Sequence, residues 1–222
     1  MSPDLVARLR GLDACAVSDA LERHRLPPAV VGLVQIGAPM AIAGRAVTVE
    51  LGPATGTSPA RHLCTAAVDA CGVGDVIVVA NQGRTDCAAW GGLLSQAASL
   101  RKLEGVVIDG ACRDVPEALD VELPVYARAP IAVTARGRVV ERSWGETVQV
   151  VGTTVGHGDL VIADASGVAF VPQAFAQQVI QTAEEIAARE ASMAAALRTG
   201  MPVSEVMGAD YESLLSRLGR DE

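Results

Sequence analysis

A short β-branched run, from Gly105 to Gly110, constrains the fold of this chain more than any other stretch. Its residues Val106, Val107 and Ile108 are apolar at successive positions and the run is bounded by glycines, which is typical of a strand buried on both faces. The run Val76–Ala80 has the same character. Between them, Trp90-Gly91-Gly92 opens a segment whose apolar residues have helical spacing. Strand, helix and strand in this order predict a βαβ unit and therefore an α/β fold.

Polar residues follow the second of these strands directly. Arg113 and Asp114 come after Cys112, and Pro116 marks the start of another helix. Ligands bind at the carboxyl ends of strands in open α/β sheets. An arginine there can bind a carboxylate through two parallel hydrogen bonds, and an aspartate offers a hard oxygen ligand to a divalent cation. The alternative interpretation of Arg113 and Asp114 is a surface ion pair or a helix cap.

Composition narrows the class of protein. The net charge of -8 argues against a nucleic-acid binder, since phosphate contacts need a basic surface. No apolar run is long enough to span a bilayer, and Met1-Ser2-Pro3-Asp4 lacks the layout of a signal peptide. The five cysteines are odd in number and form no C-x-x-C pair. We therefore expect a reduced, cytoplasmic protein that binds neither nucleic acid nor membranes.

The rest of the chain predicts short helices and strands around this unit. The earlier elements are helices near Leu5–Leu12, Cys15–Leu21 and Pro59–Cys71 and a strand at Ala46–Leu51. The later strands are Arg138–Glu141, Thr147–Val151, Leu160–Ala163 and Val168–Val171, followed by a long helix from Pro172 to about Thr199 and a weaker one from Pro202 to Leu218. No linker or repeat divides the chain, so we expect one domain over residues 1–222, with residues 172–222 as a C-terminal helical extension.

One spaced motif resembles a known family. Gly92, twenty residues, Arg113-Asp114, two residues and Glu117 match the signature G-x20-R-D-x2-E/D. The chain thus resembles the regulator of ribonuclease E activity A (RraA) and the class II 4-hydroxy-4-methyl-2-oxoglutarate aldolases. The stretches V-S-D-A-L, G-D-V-I-V-V and G-D-L-V-I-A-D-A-S-G-V-A-F-V-P agree with that family.

The resemblance implies both a fold and an assembly. It implies a single-domain α/β/α swivelling sandwich like the phosphohistidine domain, with a long C-terminal helix. It also implies homotrimers, often paired into hexamers.

The resemblance further implies a metal-dependent lyase. Such an enzyme cleaves 4-hydroxy-4-methyl-2-oxoglutarate or 4-carboxy-4-hydroxy-2-oxoadipate to pyruvate through a metal-stabilised enolate, and it also decarboxylates oxaloacetate. Arg113 would bind the 1-carboxylate of a pyruvate-like substrate, and Asp114 would coordinate Mg²⁺ or Mn²⁺. The backbone amides of Gly91, Gly92, Leu93 and Leu94 would hold the substrate's carboxylate or keto oxygen; the alternative is an ordinary helix start.

The chain departs from many family aldolases at Gly92, where they carry an acidic residue. Glu117 is the natural replacement as catalytic acid or base, because it lies three residues beyond Asp114 and would share its helix face. The alternative is a carboxylate that only stabilises a helix start. Glu190 is a weaker candidate for reaching a neighbouring subunit's site. Glu184 and Glu185 are expected on the solvent-exposed face of the long helix.

The roles of several residues near the motif stay open in the sequence. His62 is expected to be packed or capping, and Cys112 to be a buried strand-end thiol without a base partner. Cys87, Trp90 and the loop Gly52–Ser58 can reshape the pocket.

The alternative function is a non-catalytic RraA-like regulator that binds ribonuclease E. Asp114 discriminates the two, because relatives that act only as regulators tend to lack this carboxylate.

Overall fold

The helices and strands follow the predicted order around a central sheet. The computed structural model describes residues 3–54 and 62–208 of the chain. The helices are α1 (Pro3–Leu9), α2 (Ala14–Arg23), α3 (Thr65–Ala70), α4 (Gly92–Leu100), α5 (Val115–Asp120), α6 (Ala176–Arg198) and α7 (Val203–Val206). The strands are β1 (Val34–Gln35), β2 (Ile42–Pro53), β3 (Val76–Trp90), β4 (Gly105–Cys112), β5 (Val125–Pro130), β6 (Val139–Trp144), β7 (Val148–Val150), β8 (Thr153–Val155), β9 (Leu160–Asp164) and β10 (Gly167–Val171).

The main sheet is mixed, with a parallel centre. Its order is β1-β5-β4-β3-β2-β9-β10, and β6 pairs with β2 beside this path. The strands β2, β3, β4 and β5 are parallel, whereas β9, β10 and β6 run antiparallel to their neighbours. The strands β7 and β8 form a separate hairpin. This sheet and the long α6 confirm the predicted α/β fold class.

The strand β4 is buried along its whole length, as its sequence predicts. Val106 and Ile108 belong to an apolar cluster that includes Leu94 of α4. Val107 lies in a second cluster, which includes Val150 of the β7–β8 hairpin. Because both faces pack against apolar side chains, β-branched residues are favoured at every position of this strand.

The long helix α6 covers the β9–β10 side of the sheet together with α1 and α2. Its predicted apolar stripe is buried at Val179, Ile180, Ala183 and Ile186. Glu184, whose side chain is 40% exposed on the expected solvated face, also accepts two hydrogen bonds from Arg8 of α1, at 2.8 and 2.7 Å. An ion pair therefore attaches α1 to α6 in addition to apolar contacts. Across the described ranges, no helix is long and apolar enough to cross a membrane.

The largest difference from the predicted elements is the length of β3. The predicted run Val76–Ala80 continues as a strand through polar residues to Trp90, and its pairing with β4 shifts register three times. Gln82 and Gly83 adopt positive φ angles of 54° and 70°. The extra residues are accommodated as irregularities in the ladder. As a result Trp90 pairs with Cys112 at the carboxyl end of β4.

Two predicted helices extend beyond the described residues. The helix expected from Pro59 to Cys71 is present as α3, while residues 55–61 lie outside the described part. The helix expected from Pro202 to Leu218 is present as α7 only, and residues 209–222 lie outside it as well.

A buried carboxylate joins three strand segments on the β4 side of the sheet. Asp109 is 4% exposed and accepts hydrogen bonds from Arg128 Nε on β5 and from the backbone N–H of Val151. A buried carboxylate is tolerated only when it is paired and hydrogen-bonded. Asp109 therefore holds the end of the β7–β8 hairpin's first strand against the parallel sheet.

We expect Asp109→Asn to lower the free energy of unfolding by about 2–3 kcal/mol, since Arg128 loses its anion and one buried hydrogen bond weakens. Urea unfolding followed by circular dichroism measures this change. Asp120→Asn on the exposed end of α5 serves as control and should stay within about 0.5 kcal/mol of the wild type. Equal unfolding curves for the two variants would contradict the structural role of Asp109.

Candidate active site

The carboxyl end of β4 lies beside the start of α4. The backbone N–H of Arg113 donates to the carbonyl of Trp90, at 3.0 Å. Asp114 then adopts a left-handed conformation, with φ 56° and ψ 43°, and α5 begins at the next residue. Aspartate tolerates this region better than most residues. The turn therefore brings Arg113 and Asp114 next to Gly91 and Gly92.

Asp114 connects the two elements through one carboxylate oxygen. Its Oδ2 accepts hydrogen bonds from the backbone N–H of Gly92 and from Arg113 Nε, both at 3.0 Å. The Gly92 hydrogen bond, followed by the Arg113 guanidinium, lowers the pKa of the Asp114 carboxyl below its usual value. The side chain is 31% exposed. Asp114 is thus an ionised carboxylate with one oxygen fixed by two donors.

Gly91 and Gly92 leave room for the two acidic side chains. A Cβ atom at Gly91 would lie 2.9 Å from Asp114 Oδ2, and one at Gly92 would lie 1.8 Å from Glu117 Oε2. The Glu117 carboxylate therefore occupies the space that a side chain at position 92 would use. Gln96 Nε2 donates to the same Glu117 oxygen at 3.3 Å. A glycine at position 92 and a carboxylate at position 117 are sterically complementary.

The first amides of α4 are not all equivalent. The N–H of Gly92 is taken by Asp114. Among the described residues, the N–H groups of Leu93 and Leu94 have no acceptor. Free amides and the helix dipole at this end favour an anion. Of the four backbone amides predicted to hold the substrate, those of Leu93 and Leu94 thus have no acceptor among the described residues.

A buried hydrogen-bond chain supports the glycine turn. The indole N–H of Trp90 donates to Ser95 Oγ at 2.9 Å, and Ser95 Oγ lies 3.3 Å from the Gly91 carbonyl to which it donates. Ser95 is 1% exposed. Sequence reasoning missed Ser95, although a serine one turn into a helix that starts with Trp-Gly-Gly is a usable signal. Cys87, which the sequence indicated as a residue that can reshape the pocket, is fully buried.

These residues open into a cleft of about 650 Å³. Gly91, Gly92, Leu93, Leu94, Arg113 and Asp114 all line it. His62 also lines the cleft with an exposed side chain, so it is not packed. Its Nδ1 forms a hydrogen bond with the Leu63 carbonyl at 3.1 Å, just before α3, and the expected capping role stays a prediction. Arg136, which no sequence pattern singled out, lines it too. The cleft falls within the roughly 300–1,000 Å³ of typical small-molecule sites.

The donor set of the cleft fits a hard cation that keeps most of its water. No three His, Cys, Asp or Glu side chains come together within residues 3–54 and 62–208. Asp114 is an ionised, half-buried carboxylate on the cleft wall. Mg²⁺ is commonly held by one or two carboxylates together with water and substrate oxygens. Asp114 therefore fits a weakly ligated Mg²⁺ or Mn²⁺ and does not fit a closed zinc site.

Glu117, Glu190 and Cys112 are absent from the described residues that line the cleft, although Glu117 lies against the lining residue Gly92. The burial expected of Cys112 is confirmed. Cys112 is 2% exposed, and burial raises the pKa of its thiol to about 11. A thiol that stays protonated near pH 7 is a poor nucleophile. Glu190 is exposed on α6 and is absent from the cleft lining of this chain.

The fold and the site together define an α/β protein with an open cleft, lined by Arg113 and Asp114, at the carboxyl end of its parallel strands. The RraA-like family model, described as Aldolase/RraA, matches residues 14–170. The chain therefore belongs to the RraA-like family, which confirms the resemblance drawn from the motif.

Individual relatives are distant. Protein DlpA of Legionella pneumophila is 27% identical over 203 residues, which cover 91% of this chain and 33% of DlpA. The chain thus spans about a third of that relative's length. A "Putative 4-hydroxy-4-methyl-2-oxoglutarate aldolase" of Halalkalibacterium halodurans is 24% identical over 82% of this chain and 83% of its own. A crystal structure of an uncharacterized Pseudomonas syringae protein superposes with a TM-score of 0.85 at 25% identity, covering 94% of this chain and 98% of that one.

We expect Cys112 to resist alkylation by iodoacetamide at pH 8 in the folded protein, because its raised pKa keeps the thiol protonated and its burial blocks access. Cys15, which is exposed, should react first and serves as the internal control. Peptide mass spectrometry after timed quenching measures both sites. Modification of Cys112 as fast as Cys15 would mean that this strand end is open and that its thiol needs a functional account.

Proposed function

We propose that this chain is a divalent-metal-dependent lyase. It would cleave a 4-hydroxy-2-oxo acid of the 4-hydroxy-4-methyl-2-oxoglutarate or 4-carboxy-4-hydroxy-2-oxoadipate type to pyruvate, with oxaloacetate decarboxylation as a side activity. The observation that carries the proposal is the ionised Asp114 carboxylate, fixed beside Arg113 at the amide end of α4 in an open cleft.

Arg113 supports the binding of a 2-oxo acid. Its Nε is used by Asp114, while its terminal nitrogens have no acceptor among the described residues. A planar guanidinium can bind a carboxylate with two hydrogen bonds. The free N–H groups of Leu93 and Leu94 add donors for an oxygen of the same ligand. These groups would orient the pyruvoyl part of the substrate.

Asp114 would hold Mg²⁺ or Mn²⁺, with water and the 2-oxo acid as the other ligands. When bound, the cation supplies Lewis-acid stabilisation of the negative charge that develops on the 2-oxo group. The two donors to Asp114 Oδ2 keep this carboxylate ionised and oriented.

Glu117 would act as the base of the cleavage, directly or through one water. It would accept the C4 hydroxyl proton, C4 would become the carbonyl carbon of the second product, and the C3–C4 electron pair would pass to pyruvate as its enolate. Protonation of that enolate at C3 completes pyruvate. The position of the Glu117 carboxylate against Gly92, held by Gln96, supports this role.

Four expectations drawn from the sequence remain predictions. They are the homotrimer or hexamer, the cytoplasmic location, the choice between Mg²⁺ and Mn²⁺, and the single-domain organisation with the helical extension.

We expect purified protein with Mg²⁺ to release pyruvate from 4-hydroxy-4-methyl-2-oxoglutarate and from oxaloacetate, and a chelator to stop both reactions. Asp114→Ala and Arg113→Ala should each lower kcat/KM by at least about 100-fold, since each removes a group that stabilises developing charge. A coupled lactate dehydrogenase assay measures the rates.

Asp120→Asn, an exposed carboxylate on the same helix as Glu117, is the matched control and should keep wild-type rates. Turnover that survives Asp114→Ala would place the metal site elsewhere. A wild-type protein that releases no pyruvate from either substrate would contradict the lyase proposal and favour the regulatory alternative.

We also expect Gly92→Ala to lower kcat about as much as Glu117→Gln, by roughly 100-fold. The added methyl group would displace the flexible Glu117 carboxylate from its position, 1.8 Å from the new Cβ. Steady-state kinetics and urea unfolding measure activity and stability separately. The unfolding free energy should change by less than about 1 kcal/mol, because Glu117 is exposed and can move.

Gly208→Ala is the control for the substitution itself, since a Cβ there meets only ordinary contacts at 3.5 Å. An active Gly92→Ala beside an inactive Glu117→Gln would show that Glu117 works from another position. Full activity of Glu117→Gln would remove it as the base.

A further inference from the structure

His62 lies on the turn that precedes α3, on the wall of the cleft. The Thr65 hydroxyl donates to the carbonyl of His62 at 3.0 Å. Cys64 has a left-handed backbone with φ 63°, and its N–H donates to Glu141 Oε2 of β6 at 2.6 Å. Glu141 follows Val140, which also lines the cleft. The turn that carries His62 is therefore attached both to α3 and to the strand beside the cleft.

One ring nitrogen of His62 is used inside the chain. Its Nδ1 lies 3.1 Å from the carbonyl oxygen of Leu63. A carbonyl oxygen only accepts hydrogen bonds, so Nδ1 carries the proton in this contact. The other nitrogen, Nε2, has no partner within the described ranges, and the side chain is exposed. The neutral ring therefore presents the lone pair of Nε2, and the protonated ring presents an N–H at the same place.

The other charged side chains on the cleft wall keep one charge near pH 7. Among the described lining residues they are Arg113, Asp114 and Arg136. Guanidinium groups stay protonated in proteins. The Asp114 carboxyl is ionised, because the Gly92 N–H and the Arg113 guanidinium lower its pKa. Histidine is the residue type that gains and loses a proton around neutral pH, and His62 is the one histidine among the described lining residues.

The proposed cleavage leaves one proton transfer without a donor. Glu117 would take the C4 hydroxyl proton, and the enolate that results still needs a proton at C3. Glu117 lies against Gly92 and is absent from the described lining residues. An imidazolium on the cleft wall supplies the C3 proton without using the group that has just accepted the other one.

We propose that His62 is the acid that protonates C3 of the pyruvate enolate, and the base that removes a C3 proton from pyruvate in the reverse direction. This inference rests on the proposed lyase function. The π electron pair of the enolate forms the new C3–H bond with the Nε2 proton, and C2 becomes a carbonyl carbon again. The N–H electron pair stays on Nε2, which leaves neutral His62 with its Nδ1–H on the Leu63 carbonyl. Water in the open cleft then returns a proton to His62 and removes the one held by Glu117.

Exchange of the pyruvate methyl protons tests this role apart from cleavage, because pyruvate has no C4 hydroxyl group. In D₂O with Mg²⁺, neutral His62 takes a C3 proton and returns a deuteron, and ¹H NMR follows the loss of the methyl signal. His62→Asn keeps an N–H for the Leu63 carbonyl, and His62→Gln places an amide near the position of Nε2. His157→Asn is the control, since His157 is exposed between β8 and β9 and is absent from the described cleft lining.

We expect the wild type to exchange the methyl protons, and both His62 variants to do so at least about 100-fold more slowly, because an amide does not transfer a proton near pH 7. The Kd of pyruvate from titration calorimetry should change less than about twofold, since Arg113 and Asp114 are intact. His157→Asn should exchange like the wild type. Glu117→Gln should keep the exchange rate within about threefold while it loses cleavage, which separates the two proton transfers.

A second measurement does not depend on turnover. ¹⁵N NMR of the ring nitrogens should show neutral His62 as the Nδ1–H tautomer, with the His62→Asn spectrum assigning its signals. The Nε2–H tautomer would contradict the inference, because Nε2 could not then accept a proton.

Three exchange results would also overturn the inference. They are His62 variants that exchange at the wild-type rate, a loss of exchange matched by an equal loss of pyruvate binding, and a wild type that does not exchange the methyl protons. Failure of the lyase reaction is separable from these results. A protein whose exchange depends on His62 but that cleaves neither substrate would refute the proposed cleavage and leave the acid–base role of His62 standing.

Discussion

The burial of β4 on both faces is the constraint on which the candidate site depends. Every residue of Gly105–Cys112 is buried, with Val107 on one face and Val106 and Ile108 on the other. A strand fixed between two apolar layers has little freedom to slide, since a shift of one residue would reverse its faces. Its carboxyl end therefore presents Arg113 at a defined distance from the start of α4.

Asp114 connects this strand end to the start of α4. Its left-handed backbone turns the chain away from the strand, and its carboxylate accepts from both Gly92 and Arg113. The N–H of Gly92 is therefore engaged by this carboxylate and is not available to a ligand. The carboxylate is ionised and oriented, and the N–H groups of Leu93 and Leu94 have no acceptor among the described residues. Asp114 thus connects α4 and α5 and is the one acidic residue among the described residues that line the cleft.

The sequence predicted the elements whose apolar pattern is continuous and missed those that depend on tertiary contact. Val76–Ala80 was readable as a strand, but its extension to Trp90 was not, because residues 81–86 are polar and pair with β4 only through irregular register. Arg113 and Asp114 were found because they follow a buried strand directly. The approach of Glu117 to Gly92 was not predictable, since it depends on how closely α5 packs beside α4.

Arg136, which lines the cleft, was missed for a related reason. No spacing connects it to the motif, because it lies on a turn before β6 whose position is set by hydrogen bonds from Arg84 of β3 and from Arg138 at the end of the turn itself. Loops vary more readily than the strands that carry them. A residue on such a turn can change while the end of β4, and with it Arg113 and Asp114, keeps its geometry.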